Sequence, residues 1–357
     1  MAKQKIAGIY DPYIDTLGGG ERYLMTVASS LLENGFGVNV FWDNKADKKR
    51  LEERLGINLE RVNFVDNIFK KASFLDKNKS LAKYDLIFYL SDGSLPFLFG
   101  KKNIIHFQVP FHNVNGKSLA NKIKFSRINR VVCNSFFTKG FIDKEFGINS
   151  IVVYPPVDVS SFKPLKKENI IINVGRFTDL LHNKRQDVLI ESFKRLFKEN
   201  PKVKDWKLIL AGGAEEGKEL VARLKKMSSG YPIEIITNPR FDYLKQLYGQ
   251  AKLFWTAAGF GFDEMKEPEK MEHFGITTVE AMAAGCVPLV INKGGQKEIV
   301  KDGENGLLWE KETDLVAKTL SLMGNEKKWQ KLSKEAQKRS EDFSEKVFFQ
   351  RIKEIIK

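Results

Sequence analysis

Two glutamates bracket a short glycine-bearing segment late in the chain. It reads Glu272-His273-Phe274-Gly275-Ile276-Thr277-Thr278-Val279-Glu280 and runs on into Ala281-Met282-Ala283-Ala284-Gly285. Gly275 permits a tight backbone turn at the mouth of a helix, and Thr277 is a candidate cap. The unpaired amides at such a helix start receive a phosphate well. Glu280, on the first turns, lies close enough to bind a ribose that trails from that phosphate. Glu272, just ahead of the helix, is placed to face a sugar. Gly285 ends the helix, and Val287–Ile291 is the next buried strand. For either glutamate alone, a solvated helix face is an equally good reading. For the whole segment it is a poor one.

A second group is Gly175-Arg176-Phe177 followed by Lys184-Arg185-Gln186, after a strand and before a helix. Two cations bracketing that loop could hold a diphosphate and stabilise its charge as it leaves. Ordinary surface cations are the competing reading. Spacing does not decide whether Lys184 or Arg185 reaches inward. A third group, Leu17-Gly18-Gly19-Gly20, lacks the spacing of a dinucleotide fingerprint. It serves either close approach of a ligand or only a tight turn. His106 ends the strand Asn103–Phe107, where a histidine faces a ligand more often than one in mid-strand; a hydrogen-bonded structural histidine is the alternative. His112 carries a weaker signal.

The elements that position these groups alternate throughout. Lys5–Tyr10 is a first strand, and Glu21–Glu33 has a helical apolar face of Leu24, Val27, Ala28 and Leu31. Strands follow at 37–42, 85–90, 103–107, 130–133 and 151–154. The run Pro155-Pro156-Val157-Asp158 and on to Glu168 reads as an extended linker. The pattern restarts with strands at 170–174, 207–211, 233–236, 253–256 and 287–291, with helices between them. Such alternation predicts an α/β chain with parallel sheets, whose ligands bind beyond the carboxyl ends of the strands. Two halves of similar size predict a bilobed protein with a cleft: one domain over 1–160, a second over 168–340, and a helix over 341–357 with one apolar face.

The chain has 357 residues, enough for two cores, with an ordinary 42% hydrophobic and 29% charged content. Cys133 and Cys286 stand alone in apolar runs and make neither a disulfide framework nor a metal spacing, which points to a reducing compartment. The opening residues read as a strand, not a signal peptide, and no apolar run is long enough to span a bilayer. These features predict a cytoplasmic protein. The net charge of +14 suits nucleic acid, anionic membrane or anionic substrate, but it is spread along the chain without a nucleic-acid motif.

Together these segments resemble the large retaining glycosyltransferase family 4, whose members have the GT-B fold of two Rossmann-like domains. The pattern Glu272-x7-Glu280 with its trailing Glu-Ala-Met-Ala-Ala-Gly is the most specific mark. Gly175-Arg176-Phe177 with Lys184, the opening Gly-Gly-x-Glu21-Arg22 type turn, Asn134-Ser135-x-Phe137 and Pro155-Pro156-Val157-Asp158 match further landmarks. The resemblance implies a retaining transferase in which Glu272 contacts the donor sugar, Glu280 the ribose, and Arg176 and Lys184 the diphosphate. It implies that Gly19 or Gly20 lies near phosphate and acceptor, and that His106 sits beside the reacting sugar. It places the donor against Phe274, Gly275, Ile276 and Thr277 as well, and lines the base pocket with Asn238-Pro239-Arg240, mostly through backbone. It also implies that the terminal helix crosses back to the amino-terminal domain. No metal and no cofactor is expected beyond the nucleotide-sugar substrate. One departure is the long link 259–271 ahead of Glu272. That link and Glu-His-Phe-Gly-Ile resemble α-1,2-mannosyltransferases of lipid-linked oligosaccharides, which favours GDP-mannose.

The acceptor expected is a glycan or a polyprenyl- or lipid-linked saccharide. Between Lys101 and Lys144 lysines and arginines are interleaved with Phe111, Leu119, Ile123 and Phe125, so an anionic membrane surface is a candidate partner. Packing of the same apolar residues onto the sheet is the rival reading. Two other functions compete. One is a UDP-sugar-dependent transferase acting on a soluble sugar or glucan. The other is a binder without catalysis, of nucleotide-sugar or of nucleic acid.

Overall fold

The computed structural model describes residues 4–16, 18–71, 73–179, 183–215 and 217–357; Leu17 of the glycine turn lies outside them. The chain divides into two compact units, residues 1–156 with 345–357, and residues 157–344.

The first unit carries β1 (Ile6–Tyr10), β2 (Gly37–Phe41), β3 (Val62–Val65), β4 (Leu86–Leu90), β5 (Lys102–Phe107), β6 (Arg130–Cys133) and β7 (Ile151–Val152). Among the described residues they form one parallel sheet in the order β3-β2-β1-β4-β5-β6-β7. The order reverses between β1 and β4, so a crevice opens beyond their carboxyl ends. β4, Leu-Ile-Phe-Tyr-Leu, is buried along its whole length, as an apolar run covered on both faces must be. The helix Gly19–Glu33 buries Leu24, Val27, Ala28 and Leu31, the face that their spacing predicts. Leu24, Val27 and Leu31 each contribute about 1.5–3 kcal/mol on leaving water.

The second unit repeats the plan with β8 (Glu168–Val174), β9 (Lys207–Gly212), β10 (Ile233–Thr237), β11 (Ala251–Thr256), β12 (Val287–Ile291) and β13 (Leu307–Trp309). Their order is β10-β9-β8-β11-β12-β13, again parallel. The reversal falls between β8 and β11. The helix Gln186–Glu199 seals one face with Val188, Leu189, Phe193 and Leu196.

The terminal helix Glu345–Ile356 belongs to the first unit, as expected. Phe348, Ile352 and Ile355 are buried in that unit's core, and the Phe348 ring stands edge-on to Tyr23 at 4.9 Å. The helix starts at Glu345, four residues later than the 341–357 expected, because Glu341–Phe343 forms a separate 3-10 turn. Two strands, β3 and β13, escaped the sequence reading; both are short edge strands.

The linker reading needs correcting. Residues 157–167 are part of the second unit. The Val157 N–H donates to the Phe343 carbonyl at 3.0 Å, and Phe162 packs edge-on against Tyr248 at 5.5 Å. The Lys167 ammonium donates to the carbonyls of Ala251 and Ala284 at 2.8 and 2.7 Å. Burial holds its pKa below the usual lysine value. A cation satisfying carbonyls at helix ends is well placed electrostatically, and polarity alone made this stretch look solvated.

Candidate active site

In the second unit the segments singled out by type and spacing meet beyond the carboxyl ends of β8, β9, β10 and β11. The Lys184 ammonium lies 2.7 Å from a Glu272 carboxylate oxygen. Both side chains are about four-fifths buried, at 20% and 19% exposure, so the pair is screened little by solvent. Gly175 makes room for it: a Cβ there would stand 2.7 Å from Lys184 Cγ. This is the close approach that only glycine allows.

The neighbouring Arg185 takes another direction. Its backbone is left-handed, with φ +51°. Its guanidinium binds Asp187 at 3.0 Å and donates to the Phe260 carbonyl. Lys184 is therefore the inward cation and Arg185 ties the 259–271 link to the start of the helix Gln186–Glu199. Arg176 is exposed, while its own carbonyl accepts from Gln186 Nε2 at 3.2 Å. Arg176 thus keeps its side chain available at the loop, as a phosphate ligand requires.

The helix Ile276–Ala283 opens at Gly275, whose φ of +119° is far outside the range of an ordinary residue. Gly275 is the N-cap residue and Thr277 is second in the helix, so Thr277 is not the cap. A tight glycine entry displaced it. The next threonine, Thr278, donates to Gln296 Oε1 at 2.9 Å. Ile276 and Thr277 are half-buried at the helix mouth. Phe274 is buried and packs on Phe343 at 5.4 Å, which leaves its backbone as the part able to meet a donor.

Glu280 accepts a hydrogen bond from the fully buried Tyr248 hydroxyl at 3.0 Å. Burial, and then the adjacent Glu280 carboxylate, push the Tyr248 pKa well above that of a free phenol. The hydroxyl is a fixed donor that orients the carboxylate. Asn238, with φ +51°, bridges two strand ends: its N–H donates to the Gly212 carbonyl at 2.8 Å, and its Oδ1 accepts from Ala214 N at 2.9 Å. Pro239 and Arg240 follow before the helix Phe241–Gln250, Arg240 being exposed.

In the first unit Gly19 and Gly20 form the first turn of the helix Gly19–Glu33 and not a turn ahead of it. The Gly18 N–H donates to the Glu21 carboxylate, a self-cap that lets the helix begin early. Gly20 lies close to Gln108: a Cβ there would stand 2.5 Å from Gln108 Oε1, the movable end of that side chain. His106 is fully buried. It stacks on Tyr23 at 4.0 Å, and its Nδ1 is 3.2 Å from the Val132 carbonyl. Burial lowers its pKa to about 3, so the ring is neutral and has the surroundings of a packed core residue. Asp11, just past β1, is also fully buried, and burial together with the Glu21 charge holds its pKa well above the carboxylate range.

Sequence reading missed Tyr248, whose place on a helix looked merely apolar, and the pair Gly294-Gly295. The Gly295 N–H donates to the Glu272 carbonyl at 2.7 Å. A Cβ at Gly294 would meet that carbonyl oxygen at 2.4 Å. A Gly-Gly just past β12 was the available signal. Among the described residues, no group of three His, Cys, Asp or Glu side chains is disposed to hold a metal ion.

Comparison with known proteins agrees with this architecture. Residues 158–339 match the family model described as glycosyl transferases group 1. The chain is 27% identical over 269 residues to a GDP-Man:Man(3)GlcNAc(2)-PP-Dol alpha-1,2-mannosyltransferase of Dictyostelium discoideum, covering 69% of this chain and 50% of that protein. It is 24% identical to a glycosyltransferase of Methanocaldococcus jannaschii over 79% of this chain and 77% of that one. This chain spans about half or less of the length of the mannosyltransferases named first among its relatives. Among solved structures, Anabaena HepE in complex with UDP superposes with a TM-score of 0.74 at 18% identity, over 98% of each chain. A glycosyltransferase from Rickettsia africae does so with 0.76 at 19% identity over 100% of each. These likenesses establish the GT-B fold. The matched segment is just over half of the chain and contains the Lys184–Glu272 pair, the Gly275 helix mouth and Glu280, and the chain belongs to the family of glycosyl transferases group 1.

Proposed function

We propose that the chain is a nucleotide-sugar-dependent glycosyltransferase that moves a hexose to a sugar acceptor with retention of the α linkage. The observation that carries this reading is the Lys184–Glu272 ion pair standing beside the Gly275 helix mouth. Arg176, Lys184 and the amides of that helix start are assigned to the donor diphosphate, where fixed charge stabilises the leaving group. Glu272 is assigned to the sugar hydroxyls and Glu280, held by Tyr248, to the ribose. Attack comes from the face that the diphosphate leaves, and the departing phosphate takes the acceptor proton.

A UDP-sugar is the donor we favour. HepE, whose structures in complex with UDP and with UDP-glucose share this fold, aligns over nearly the whole of both chains. The GDP-mannose expected from the 259–271 link draws support from relatives that are matched over about half or less of their own length. The acceptor we assign is a glycan or a lipid-linked saccharide.

The test is release of nucleoside diphosphate from a panel of UDP- and GDP-sugars, followed by NMR of the anomeric linkage formed. UDP release with an α product is the expected outcome. GDP release from GDP-mannose alone would reverse the donor assignment, and a β product would overturn the mechanism. No release from any donor would favour a binder without catalysis.

A further inference from the structure

Two short helices of the first unit leave their large apolar side chains uncovered. On the helix Phe74–Leu81, Phe74 and Leu75 are 56% and 76% exposed. On the helix Leu119–Phe125 no residue is buried, and Leu119 and Ile123 are 74% and 54% exposed. Leu119 and Ile123 lie four apart and so share one side of their helix. Packing on the helix Phe136–Phe146 accounts for Phe125, whose ring meets Phe146 at 5.8 Å, but not for these two.

The helices are joined through the loop between β4 and β5. The Phe74 ring stands edge-on to Phe97 and Phe99 at 5.7 and 5.4 Å. Lys124 lies over Phe97 at 5.6 Å and Arg127 over Phe99 at 5.8 Å. The patch is thus one surface of exposed apolar tips with cations among them. Its charge is one-sided: from Gly93 to Ile142 the sequence has eight lysines and arginines and no aspartate or glutamate. Two acids flank it: Asp76, exposed on the helix of Phe74 and Leu75, accepts from the Ser73 hydroxyl, and Asp85 pairs with Lys101 at 2.8 Å.

Beside the patch is a notch of about 370 Å³ lined by Phe99, Lys101, Asn103, Ser126, Arg127 and Asn129, among others. Asn103 is 2% exposed, and its Oδ1 has no hydrogen-bond partner, while its Nδ2 donates to the carbonyls of Gly100 and Arg127. Of the two cations that line the notch, Lys101 is paired with Asp85 at 2.8 Å, and Arg127 is exposed.

We propose that this face docks on an anionic phospholipid bilayer, with Phe74, Leu75, Leu119 and Ile123 entering the interface and Lys122, Lys124 and Arg127 meeting headgroup phosphates. Apolar tips supply the shallow insertion and cations the attraction that brings them there. Charge complementarity with a face on which Lys122, Lys124 and Arg127 outnumber Asp76 selects the anionic bilayer over a neutral one. This inference does not rest on the donor or on catalysis.

The test is flotation of the full chain with vesicles of phosphatidylcholine, alone or mixed with phosphatidylglycerol, at low and at physiological salt. Binding to the mixed vesicles only, weakened by salt, is expected. Lys122→Gln with Arg127→Gln should weaken it about fivefold per cation removed. Leu75→Glu with Leu119→Glu should weaken it too, with an unchanged thermal melt because both side chains are solvated; should that variant fail to fold, Leu75→Glu alone serves. No binding to mixed vesicles at low salt would overturn the proposal. So would binding that the glutamate variants leave intact but RNA competes away, since the face would then be a polyanion site.

Discussion

Lys184 and Glu272 are 88 positions apart in the chain, yet their charged ends meet at 2.7 Å. The contact joins the loop after β8 to the segment that opens the helix Ile276–Ala283. On the proposed function it holds a cation at the site before any donor arrives, which is the preorganisation that electrostatic stabilisation of a leaving group requires.

Lys184→Ala should lower turnover by about 2–4 kcal/mol of transition-state stabilisation. It should also lower stability by about 1.5–3 kcal/mol, the worth of a charged hydrogen bond. Arg176→Ala should cost turnover similarly while moving stability by less than about 0.5 kcal/mol, because the side chain is exposed. Steady-state kinetics with denaturant melts of both variants separates the two effects. Wild-type turnover in both would remove the clamp.

Tyr248→Phe should raise the donor KM about fivefold with little change in kcat. The lost hydroxyl orients Glu280 and contributes about 1 kcal/mol to ground-state and transition-state binding alike. A matched pair of donor titrations checks the split. A fall in kcat with KM unchanged would place Glu280 in the reacting region and not on the ribose.

Gly275→Ala forces a Cβ to within 2.8 Å of Gln296 Nε2 at a φ of +119°. The strain should cost about 1–3 kcal/mol and tilt the helix mouth, so that nucleoside diphosphate binds more weakly. Calorimetric titration with UDP, next to a thermal melt, reads both. Unaltered UDP affinity would mean that the helix start does not hold the phosphate.

His106 shapes the response to acid. Its pKa falls from 6.5 to about 3 on folding, so the unfolded chain binds a proton that the folded one refuses. Its contribution to stability is fully present above about pH 6.5 and is lost as pH falls from there toward 3, by at most about 1.4 kcal/mol per pH unit. His106→Phe should flatten the stability curve over that window and keep the stacking on Tyr23. Urea melts across the range compare the two proteins. Parallel curves would show that the ring is protonated in the folded state.

Periodicity by itself determined the two parallel α/β units, because an apolar run buried on both faces or on one helical side is a local property. It located the terminal helix by the same logic. Residue type and order also marked the Glu272–Glu280 segment and the Gly175–Lys184 loop, since a glycine at a helix mouth and cations after a strand carry their chemistry with them. Everything that depends on where a side chain points belonged to the tertiary structure. Adjacent Lys184 and Arg185 look alike in sequence, and a left-handed backbone at Arg185 sends them to different partners. Lys167 reads as solvated linker and instead caps buried carbonyls. Tyr248 drew no notice in the sequence and holds Glu280. His106 reads as a strand-end ligand and lies stacked in the interior. In each case the deciding partner comes from a different element, so only the folded chain could supply it.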